Sequence, residues 1–523
     1  MNTSSIPRRG VLRTLAVAVA LVGGTVPAWN SAAHAVTPPE TFTLTIKHLG
    51  RDGLAAEHYK TIVSGLSGAG ADEVVRASKD PSGVVSVTLP RGRYVLESEM
   101  HTGIPGGVLD WLVQPRLDLD GDTTVTVDAR TTAPVDVRPP DAAAGQVLAF
   151  VGVLVSHGGK QHLANYTTAG SPLRIGHMGP DAEPGSLRQW YDVYWKSGTD
   201  RGYGLSHSVT GSRALTGLVK HPEAKDLATI KVRGVERSEP GGAVFLGVEP
   251  SQGESAGVPY RLPASADFSY LVTPERGSWN LGYSAHDADG NTIDRYEAPQ
   301  VPVSAGATTT RTFGNAVIGP DLTGRPGVVR EGDRLSVDVP LLADSDGHVP
   351  ARTDFTGATT TLRRDGVVIG QESGTPGRAV FTLPAGPGTY RLTSTVRRGA
   401  AGTGGRVSAE WTFAARAVSG PVAVPVSVVR FTPELTLRGT AAAGTALRVP
   451  VTVQGAAAQG RIRSLTVSFS VDGGASWRRL PVVRGAVTVP NPRPGTGVSL
   501  RAELTDIGGN TLVQTQTDAY RTH

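Results

Sequence analysis

The strongest match to a catalytic motif lies at residues 253–257, where the sequence reads GESAG. In the G-x-S-x-G pattern the serine, here Ser255, stands as a nucleophile on a sharp turn between a strand and a helix. Upstream, residues 157–159 read HGG, a glycine-rich loop that could supply the amides of an oxyanion hole. These residue types in this order make acyl transfer by a serine nucleophile one candidate chemistry.

A serine nucleophile also needs a carboxylate and an imidazole base, and for this motif both follow the serine along the chain. Asp287 or Asp294 could supply the acid, and His348 the base. The flanking sequence argues against this assignment, because Pro250 interrupts the preceding strand and Pro259 prevents a helix from following. His348 also lies beyond a predicted domain boundary. We therefore predict that GESAG is a polar surface loop, and we assign no catalytic residue.

Three turns carry acidic residues at alternate positions, the spacing with which carboxylates wrap around a calcium ion. None has both the glycine at position six and the glutamate at position twelve of an EF-hand loop. Because Asp-Gly and Asn-Gly pairs also form ordinary hairpin turns, we assign no metal-ligating residue and expect no cofactor, with calcium left open. The three turns are Asp118, Asp120 and Asp122; Asp287, Asp289 and Asn291; and Asp344 and Asp346.

The chain has no cysteine and twelve histidines. The lack of cysteine excludes disulfides, thiolate nucleophiles and thiolate metal sites. His157 and His162 are five residues apart, and no H-E-x-x-H or comparable ligand set occurs. We expect the histidines to be surface or core residues.

Residues 470–477 read SVDGGASW, the S-x-D-x-G-x-x-W pattern known as an Asp-box. Physically this is the tip of a β-hairpin, in which Asp472 can accept turn amides, Gly474 can take a positive φ and Trp477 can pack on the sheet. The pattern occurs once, whereas a β-propeller would need several copies. We therefore predict a structural turn rather than a glycan-binding site.

The first 35 residues predict a signal peptide that is removed on export. Arg8 and Arg9 precede an apolar run over residues 11–22, and Ala33-His34-Ala35 offers a cleavage site. The arginine pair also resembles a twin-arginine leader. The net charge of +5 falls to +2 without the three leader arginines, and no basic helix follows. These features argue against nucleic acid as a partner and predict a secreted protein without a membrane span.

In the rest of the chain, apolar and polar residues alternate over short segments, the pattern of β-strands with one buried face. Asp365-Gly366 predicts a type I′ hairpin turn between two of them. Helical periodicity is limited to two short candidates, residues 57–66 and 223–230. The clearest strand candidates are residues 84–89 (VVSVTL), 123–128 (TTVTVD), 335–339 (LSVDV), 446–453 (ALRVPVTV) and 465–471 (LTVSFSV).

Proline-rich linkers at residues 131–145, 298–306 and 419–425 divide the chain. We predict an all-β protein of tandem β-sandwich modules, Ig-like or transthyretin-like. The predicted division is a signal peptide (1–35), a β-sandwich module (36–130), a larger β-rich module (131–316), a β-sandwich module (317–419) and an Ig-like module with the Asp-box (420–523).

Several stretches between about residues 41 and 521 resemble the C-terminal accessory region of secreted actinobacterial subtilisin-like serine proteases. The pieces are residues 43–49 (TLTIKHL), 87–96 (VTLPRGRYVL), 113–130 (VQPRLDLDGDTTVTVDAR), 408–413 (SAEWTF), 464–477 (SLTVSFSVDGGASW) and 498–520. Those proteases carry Asp-Ser/Thr-Gly, His-Gly-Thr-His and Gly-Thr-Ser-Met-Ala elements, and none of these is present here. The resemblance therefore implies accessory β domains without the catalytic domain, and it transfers no catalytic residue.

Together these patterns predict a secreted, non-enzymatic multi-domain protein, free in the medium or associated with the cell wall. We expect it to bind an extracellular protein or a cell-wall polymer through loops at the sandwich ends, with a secreted protease as a further partner that the resemblance implies. Two alternatives stay open. One is a secreted serine hydrolase, either esterase-like through Ser255 or a protease with an unrecognised site that is a subtilisin-related peptidase partner. The other is a passive spacer or surface-coat protein.

Overall fold

Strands occupy most of the chain, as the alternating sequence predicts, and the all-β fold class of tandem β-sandwiches is confirmed. The predicted signal peptide and the GESAG motif with Ser255 lie outside the described residues, within which the chain forms 38 strands and two short 3₁₀ helices. None of these helices is long and apolar enough to cross a bilayer. The computed structural model describes residues 39–77, 80–102, 107–234, 243–250, 258–261, 267–398, 405–416 and 418–523.

Residues 41–137 supply the first eight strands. The helix candidate at residues 57–66 is instead part of a strand, in which Tyr59, Thr61 and Val63 are buried at every second position. A 3₁₀ turn over Ala129–Thr131 follows the seventh strand. The strands are β1 (Thr41–Leu49), β2 (Tyr59–Gly68), β3 (Val74–Ala77), β4 (Val84–Pro90), β5 (Gly92–Thr102), β6 (Val108–Leu119), β7 (Thr123–Asp128) and β8 (Ala133–Val137).

Residues 145–313 supply the next thirteen described strands. The other helix candidate, residues 223–230, also fails, since only Ala224–Asp226 form a 3₁₀ turn before a strand begins. The strands are β9 (Gly145–His157), β10 (Lys160–Thr168), β11 (Leu173–His177), β12 (Leu187–Ser197), β13 (Arg201–Gly211), β14 (Leu218–Lys220), β15 (Ala228–Gly234), β16 (Ala243–Pro250), β17 (Val258–Arg261), β18 (Asp267–Val272), β19 (Ser278–His286), β20 (Thr292–Pro302) and β21 (Thr308–Phe313).

Residues 327–522 supply the remaining described strands. They are β22 (Gly327–Glu331), β23 (Arg334–Asp338), β24 (Arg352–Thr353), β25 (Phe355–Arg364), β26 (Val367–Ser373), β27 (Arg378–Thr382), β28 (Gly388–Arg398), β29 (Arg406–Ala415), β30 (Val422–Val424), β31 (Ser427–Phe431), β32 (Thr440–Ala441), β33 (Ala446–Gly455), β34 (Ile462–Ser470), β35 (Arg478–Leu480), β36 (Ala486–Pro490), β37 (Gly497–Asp506) and β38 (Thr511–Thr522).

All the described strands before residue 316 belong to four sheets that pack face to face. The sheet β4-β1-β7 packs on β14-β8-β11-β6-β5-β2-β3, whose other face packs on β10-β9-β12-β13-β18-β15-β21. The sheet β17-β16-β19-β20-β24 packs on the remaining face of the sheet β10-β9-β12-β13-β18-β15-β21. The three interfaces contain, respectively, Leu44, Leu96 and Val127; Trp111, Val153 and Tyr191; and Tyr194, Tyr270 and Tyr283.

The strands after residue 316 share one large core. The sheet β26-β25-β28-β29-β38-β37-β34-β35, with β32 beside β38, packs against both β27-β23-β22-β30 and β31-β33-β36. Leu335, Trp411 and Val449 belong to the same buried cluster although they come from three different sheets. The Trp411 indole also donates to the carbonyl of Ser427 on β31, at 2.7 Å.

Strand pairing crosses each of the three predicted module boundaries. Strands β8 and β11 lie in the same sheet as β5 and β6, β24 pairs with β20, and β29 pairs with β38. The division near residues 130, 316 and 420 therefore does not separate sheets, and as a domain assignment it stays a prediction.

Candidate functional site

His348, nominated as a catalytic base, is held by a buried carboxylate. Its Nδ1 lies 3.1 Å from Asp344 Oδ2, and its ring packs on Phe313 with 5.0 Å between centroids. Asp344 is fully buried and also accepts the backbone amides of Gly314, at 3.0 Å, and of His348, at 2.8 Å. Burial alone lowers the pKa of His348, but the hydrogen bond and charge of Asp344 outweigh it, so the pKa is raised. The imidazole of His348 is therefore hydrogen-bonded to Asp344 rather than to either of the nominated acids.

The two nominated acids have partners of their own. Asp287 Oδ1 accepts the amides of Asp289, at 3.0 Å, and Asn291, at 2.8 Å, and so closes the turn between β19 and β20. The side-chain hydrogen bond from Asn291 lowers the pKa of Asp287. Asp294 is buried and lies 3.2 Å from Arg398 in an ion pair. Neither contact involves His348, and Ser255 lies outside the described residues.

The two histidines that are close in sequence, His157 and His162, make contacts between strands and loops. Nδ1 of His157, at the end of β9, lies 3.1 Å from Arg93 Nη1 and 3.4 Å from Glu183. Nε2 of His162, on β10, is buried and lies 3.7 Å from Glu97 Oε1 on β5. His157 therefore links β9 to β5 and to the loop that contains Glu183, whereas His162 links β10 to β5.

The acidic turns use their carboxylates for backbone and arginine contacts. Asp118 pairs with Arg93 at 2.7 Å and with Arg116 at 2.6 Å, while Asp122 accepts the amide of Thr43 at 2.8 Å. Over the stretches that the structure describes, no group of three or more histidine, aspartate or glutamate side chains is arranged to hold a metal ion. Calcium binding at these turns stays a question for titration.

The Asp-box forms a closed hairpin tip. Ser470 donates to Asp472 Oδ1 at 2.6 Å, and the Ser476 amide donates to the same oxygen at 2.9 Å. These hydrogen bonds, that of Ser470 first, lower the pKa of Asp472. Gly474 takes a φ of 96°, and a Cβ there would lie 3.3 Å from the Trp477 ring. The motif thus makes the turn expected from its sequence.

An open groove crosses the outer face of the sheet β17-β16-β19-β20-β24. Its floor is the cross-strand pair Gly247 on β16 and Gly282 on β19, because neither residue has a side chain to fill the pleat. Pro259 on β17 and Glu297 on β20 continue the same row at either end. The cavity volume of about 350 Å³ lies within the range of about 300–1,000 Å³ typical of small-ligand sites.

Polar side chains form the two long walls of this groove. On one side, Asn280 Nδ2 donates to Glu249 Oε1 at 3.2 Å across two strands. On the other side, Arg295 lies one row beyond Glu297 and pairs with it at 3.1 Å. The side chains of Arg295 and Glu297 are 59% and 54% exposed, so their polar atoms remain accessible to a ligand.

Irregular backbone and a packed base hold the groove in shape. Gln300 takes a φ of 53°, and its amide donates to Asn280 Oδ1 at 2.9 Å, which fixes the rim. Beneath the floor, Leu246, Leu281 and Tyr283 are buried in the core of the neighbouring sheets. The floor of the groove and the rim at Gln300 are therefore preorganised.

Sequence pattern alone did not reveal this groove. A glycine inside a strand is a recognised signal for close approach of a ligand or of another backbone, and both AVFLGVE (residues 243–249) and SWNLGYSAH (residues 278–286) contain one. The local sequence does not show how the two strands pair, and it is their register that places Gly247 opposite Gly282.

No family model and no curated protein match this sequence. Among solved structures, the Bacillus anthracis TIE protein is similar at 10% identity, covering 52% of this chain and 50% of its own, with a TM-score of 0.13. This chain thus spans half the length of that protein. A streptococcal ancillary pilin matches at 8% identity over 52% of this chain and 99% of its own, with a TM-score of 0.13. The FN1–FN3 domains of chicken CNTN1 match at 8% identity over 65% and 96%, with a TM-score of 0.14. Likenesses this low carry no functional information, so a function must be argued from the groove.

Proposed function

We propose that this chain is an exported, non-enzymatic protein that binds a polysaccharide of the cell wall through the groove on the sheet β17-β16-β19-β20-β24. The observation that carries the proposal is the Gly247–Gly282 floor between two rows of accessible polar side chains. The leader-like first 35 residues support export. The resemblance to a protease accessory region supports an extracellular partner role, beside a separate protease or on the wall itself.

The chemistry of the groove favours a sugar chain over a polypeptide. On the face of a sheet the backbone amides and carbonyls already pair with neighbouring strands, whereas an extended peptide usually docks on a free edge. Hydroxyl groups can bond the carboxylates, amide and guanidinium of the walls, while ring C–H groups can pack on Gly247, Gly282 and Pro259. With two carboxylates and one guanidinium, the groove favours a neutral chain over a polyanion.

A binding role is also supported by the positions of the residues nominated for hydrolysis. His348 pairs with Asp344, Asp294 with Arg398, and Asp287 with its own turn. A catalytic triad instead needs the base within hydrogen-bond reach of the nucleophile and of a third group that orients it.

Filling the floor of the groove tests the proposal. A Cβ at Gly282 would meet no atom within 4 Å, and one at Gly247 would meet only the Gly282 carbonyl, at 3.6 Å. Gly282→Val and Gly247→Val should therefore fold and gain about 0.5–1 kcal/mol, because glycine weakens a strand interior. Cosedimentation with insoluble wall polysaccharide should nevertheless be lost. Gly211→Val, also with no atom within 4 Å, is the matched control and should still bind.

Three results would contradict the proposal. Unchanged cosedimentation of both groove variants would remove the groove as the site. Retention of a specific protein, with no polysaccharide bound, would favour a protein partner. Turnover of a short-chain ester or of casein that disappears in Ser255→Ala would establish the hydrolase alternative.

A further inference from the structure

The C-terminal part of the chain differs sharply in charge from the rest. Residues 420–523 contain eleven arginines, no lysine and five acidic residues, a net charge of +6. Residues 36–419 have a net charge of −4. Within the basic part, residues 473–502 contain five arginines and no acidic residue at all. Such a field attracts polyanions.

The most exposed basic segment is Arg478–Arg484, reading RRLPVVR, which we call the arginine ribbon. It consists of the edge strand β35 and the turn that follows. Arg478, Arg479 and Arg484 are exposed, and so are Val482 and Val483, at 37% and 61%. Within this segment Leu480 packs against the core, whereas the arginines and these two valines are exposed.

Strand geometry spreads the positive charge around the sheet edge. Arg478 and Arg479 are consecutive, so their side chains point to opposite faces of β35. Arg479 lies opposite Ser468 of β34, and Ser468 lies opposite Arg501 of β37 on its other side. Two strand spacings of about 4.8 Å place Arg479 and Arg501 roughly 10 Å apart on one face, where Arg501 also pairs with Glu503 at 2.7 Å. A polymer crossing this edge would therefore meet a guanidinium on either side of it.

The ribbon arginines lack acidic partners, in contrast to many arginines elsewhere. Arg325 and Arg378, for example, share Asp338 at 3.0 and 3.1 Å. For Arg478, Arg479 and Arg484, no described Asp or Glu lies within ion-pair distance. Their charge is therefore available to an external anion.

Backbone conformation gives independent evidence at the end of the ribbon. Val483 and Ala486 exchange backbone hydrogen bonds of 2.8 and 3.1 Å around Arg484-Gly485, which take φ values of 50° and 68°. This is a type I′ turn, whose first central position favours Asn, Asp or Gly. At Asp365-Gly366 the same protein uses the favoured aspartate, with φ values of 49° and 88°. Arg484 thus occupies a turn position that costs an arginine more than an asparagine, and its exposed side chain lies at the tip of this turn.

We propose that the arginine ribbon binds a linear phosphodiester polymer of the cell envelope, of the poly(glycerol phosphate) type. Guanidinium groups bind phosphate oxygens bidentately, and a single flexible chain can reach arginines on both sides of an exposed strand edge. Val482 and Val483 can contact the alkyl part of the repeat unit. The site is separate from the sheet groove and does not depend on the function proposed for it.

The test measures binding of poly(glycerol phosphate) to the full chain over a range of salt concentrations. Replacing Arg478 and Arg479 by Ser and Arg484 by Asn should weaken binding about tenfold, since three exposed ion pairs are lost. The slope of log K against log salt should fall by about 2. A control with the same loss of charge replaces the exposed Arg352, Arg397 and Arg406 by Ser and should bind almost as the wild type does.

The single variant Arg484→Asn separates folding from binding. Asparagine is favoured at this position of a type I′ turn, so the thermal midpoint of the variant should rise. Its affinity for poly(glycerol phosphate) should fall, because one guanidinium is lost. Equal loss of affinity in the control, an unchanged salt slope, or a raised midpoint with unchanged affinity would each overturn the proposal. So would tighter binding of duplex DNA or polyglutamate. Gly282→Val should leave this binding intact, so failure of the groove proposal remains distinguishable.

Discussion

Arg430 on β31 lies at the centre of a buried polar junction with the segment that begins near residue 317. Its guanidinium donates to the carbonyls of Gly319 and Pro320, both at 3.1 Å, and to that of Asp344. Its Nε lies 3.4 Å from Asp321 Oδ2, and Arg430 and Asp321 are 4% and 2% exposed. Burial lowers the pKa of Arg430, and the charges of Asp321 and Asp344 oppose that shift. These contacts cross the predicted boundary at residue 420.

The variant Arg430→Met keeps the length of the side chain but leaves a buried carboxylate and three carbonyls without their donor. Removing one partner of a buried ion pair costs about 3–5 kcal/mol. Asp321 still accepts the amide of Thr323 at 2.7 Å, so we expect about 3–4 kcal/mol. For a cooperative unit of roughly 200 residues this lowers the thermal midpoint by about 6–16 °C, at 2–4 °C per kcal/mol.

Calorimetry and urea unfolding followed by tryptophan fluorescence measure the effect. Because residues 317–523 share one buried cluster, they should unfold in a single transition that moves as a whole. Arg397→Met, at an exposed position of β28, is the control and should change stability by about 0.5 kcal/mol or less. A loss below about 1 kcal/mol in Arg430→Met, or two transitions of which only one moves, would refute the coupling.

Two further predictions concern titration. The pKa of His348 is raised in the folded state, so its contribution to stability is complete below the unfolded pKa of about 6.5 and disappears as pH rises through the folded value. The difference in unfolding free energy between wild type and His348→Gln should therefore shrink toward alkaline pH, and a constant difference would contradict the Asp344 pairing. Millimolar calcium should leave the thermal midpoint unchanged, because turn amides already occupy Asp287. An upward shift that Asp287→Asn abolishes would instead establish a calcium site.

Features set by short-range pattern were predictable. The strand predicted at residues 123–128 coincides with β7, where Val125 and Val127 are buried and alternate with exposed or partly exposed polar residues. Asp365-Gly366 forms the predicted turn between β25 and β26, and the Asp-box closes a hairpin tip. Each depends on residues only a few positions apart, so the sequence carries the necessary information.

Features that depend on long-range pairing were not predictable. The helix expected at residues 57–66 is strand β2, because pairing with β5 and β3 outweighs weak local periodicity. The alternating acids at Asp344 and Asp346 predict a turn, but they do not indicate that Asp344 binds His348. The groove exists only because two glycines thirty-five positions apart come into register, and nothing local to either strand specifies that alignment.

The sequence by itself determined that the chain forms alternating strands, where several of them begin and end, and that no disulfide is present. Only the tertiary structure decided which strands became neighbours, that sheets extend across the predicted boundaries, and that a polar groove opens on one sheet face. The physical reason is that alternation fixes which side of a strand is buried, whereas sheet hydrogen bonds join backbone groups that are nearly identical at every residue. Pairings such as that of β29 with β38 therefore leave no local trace in the sequence.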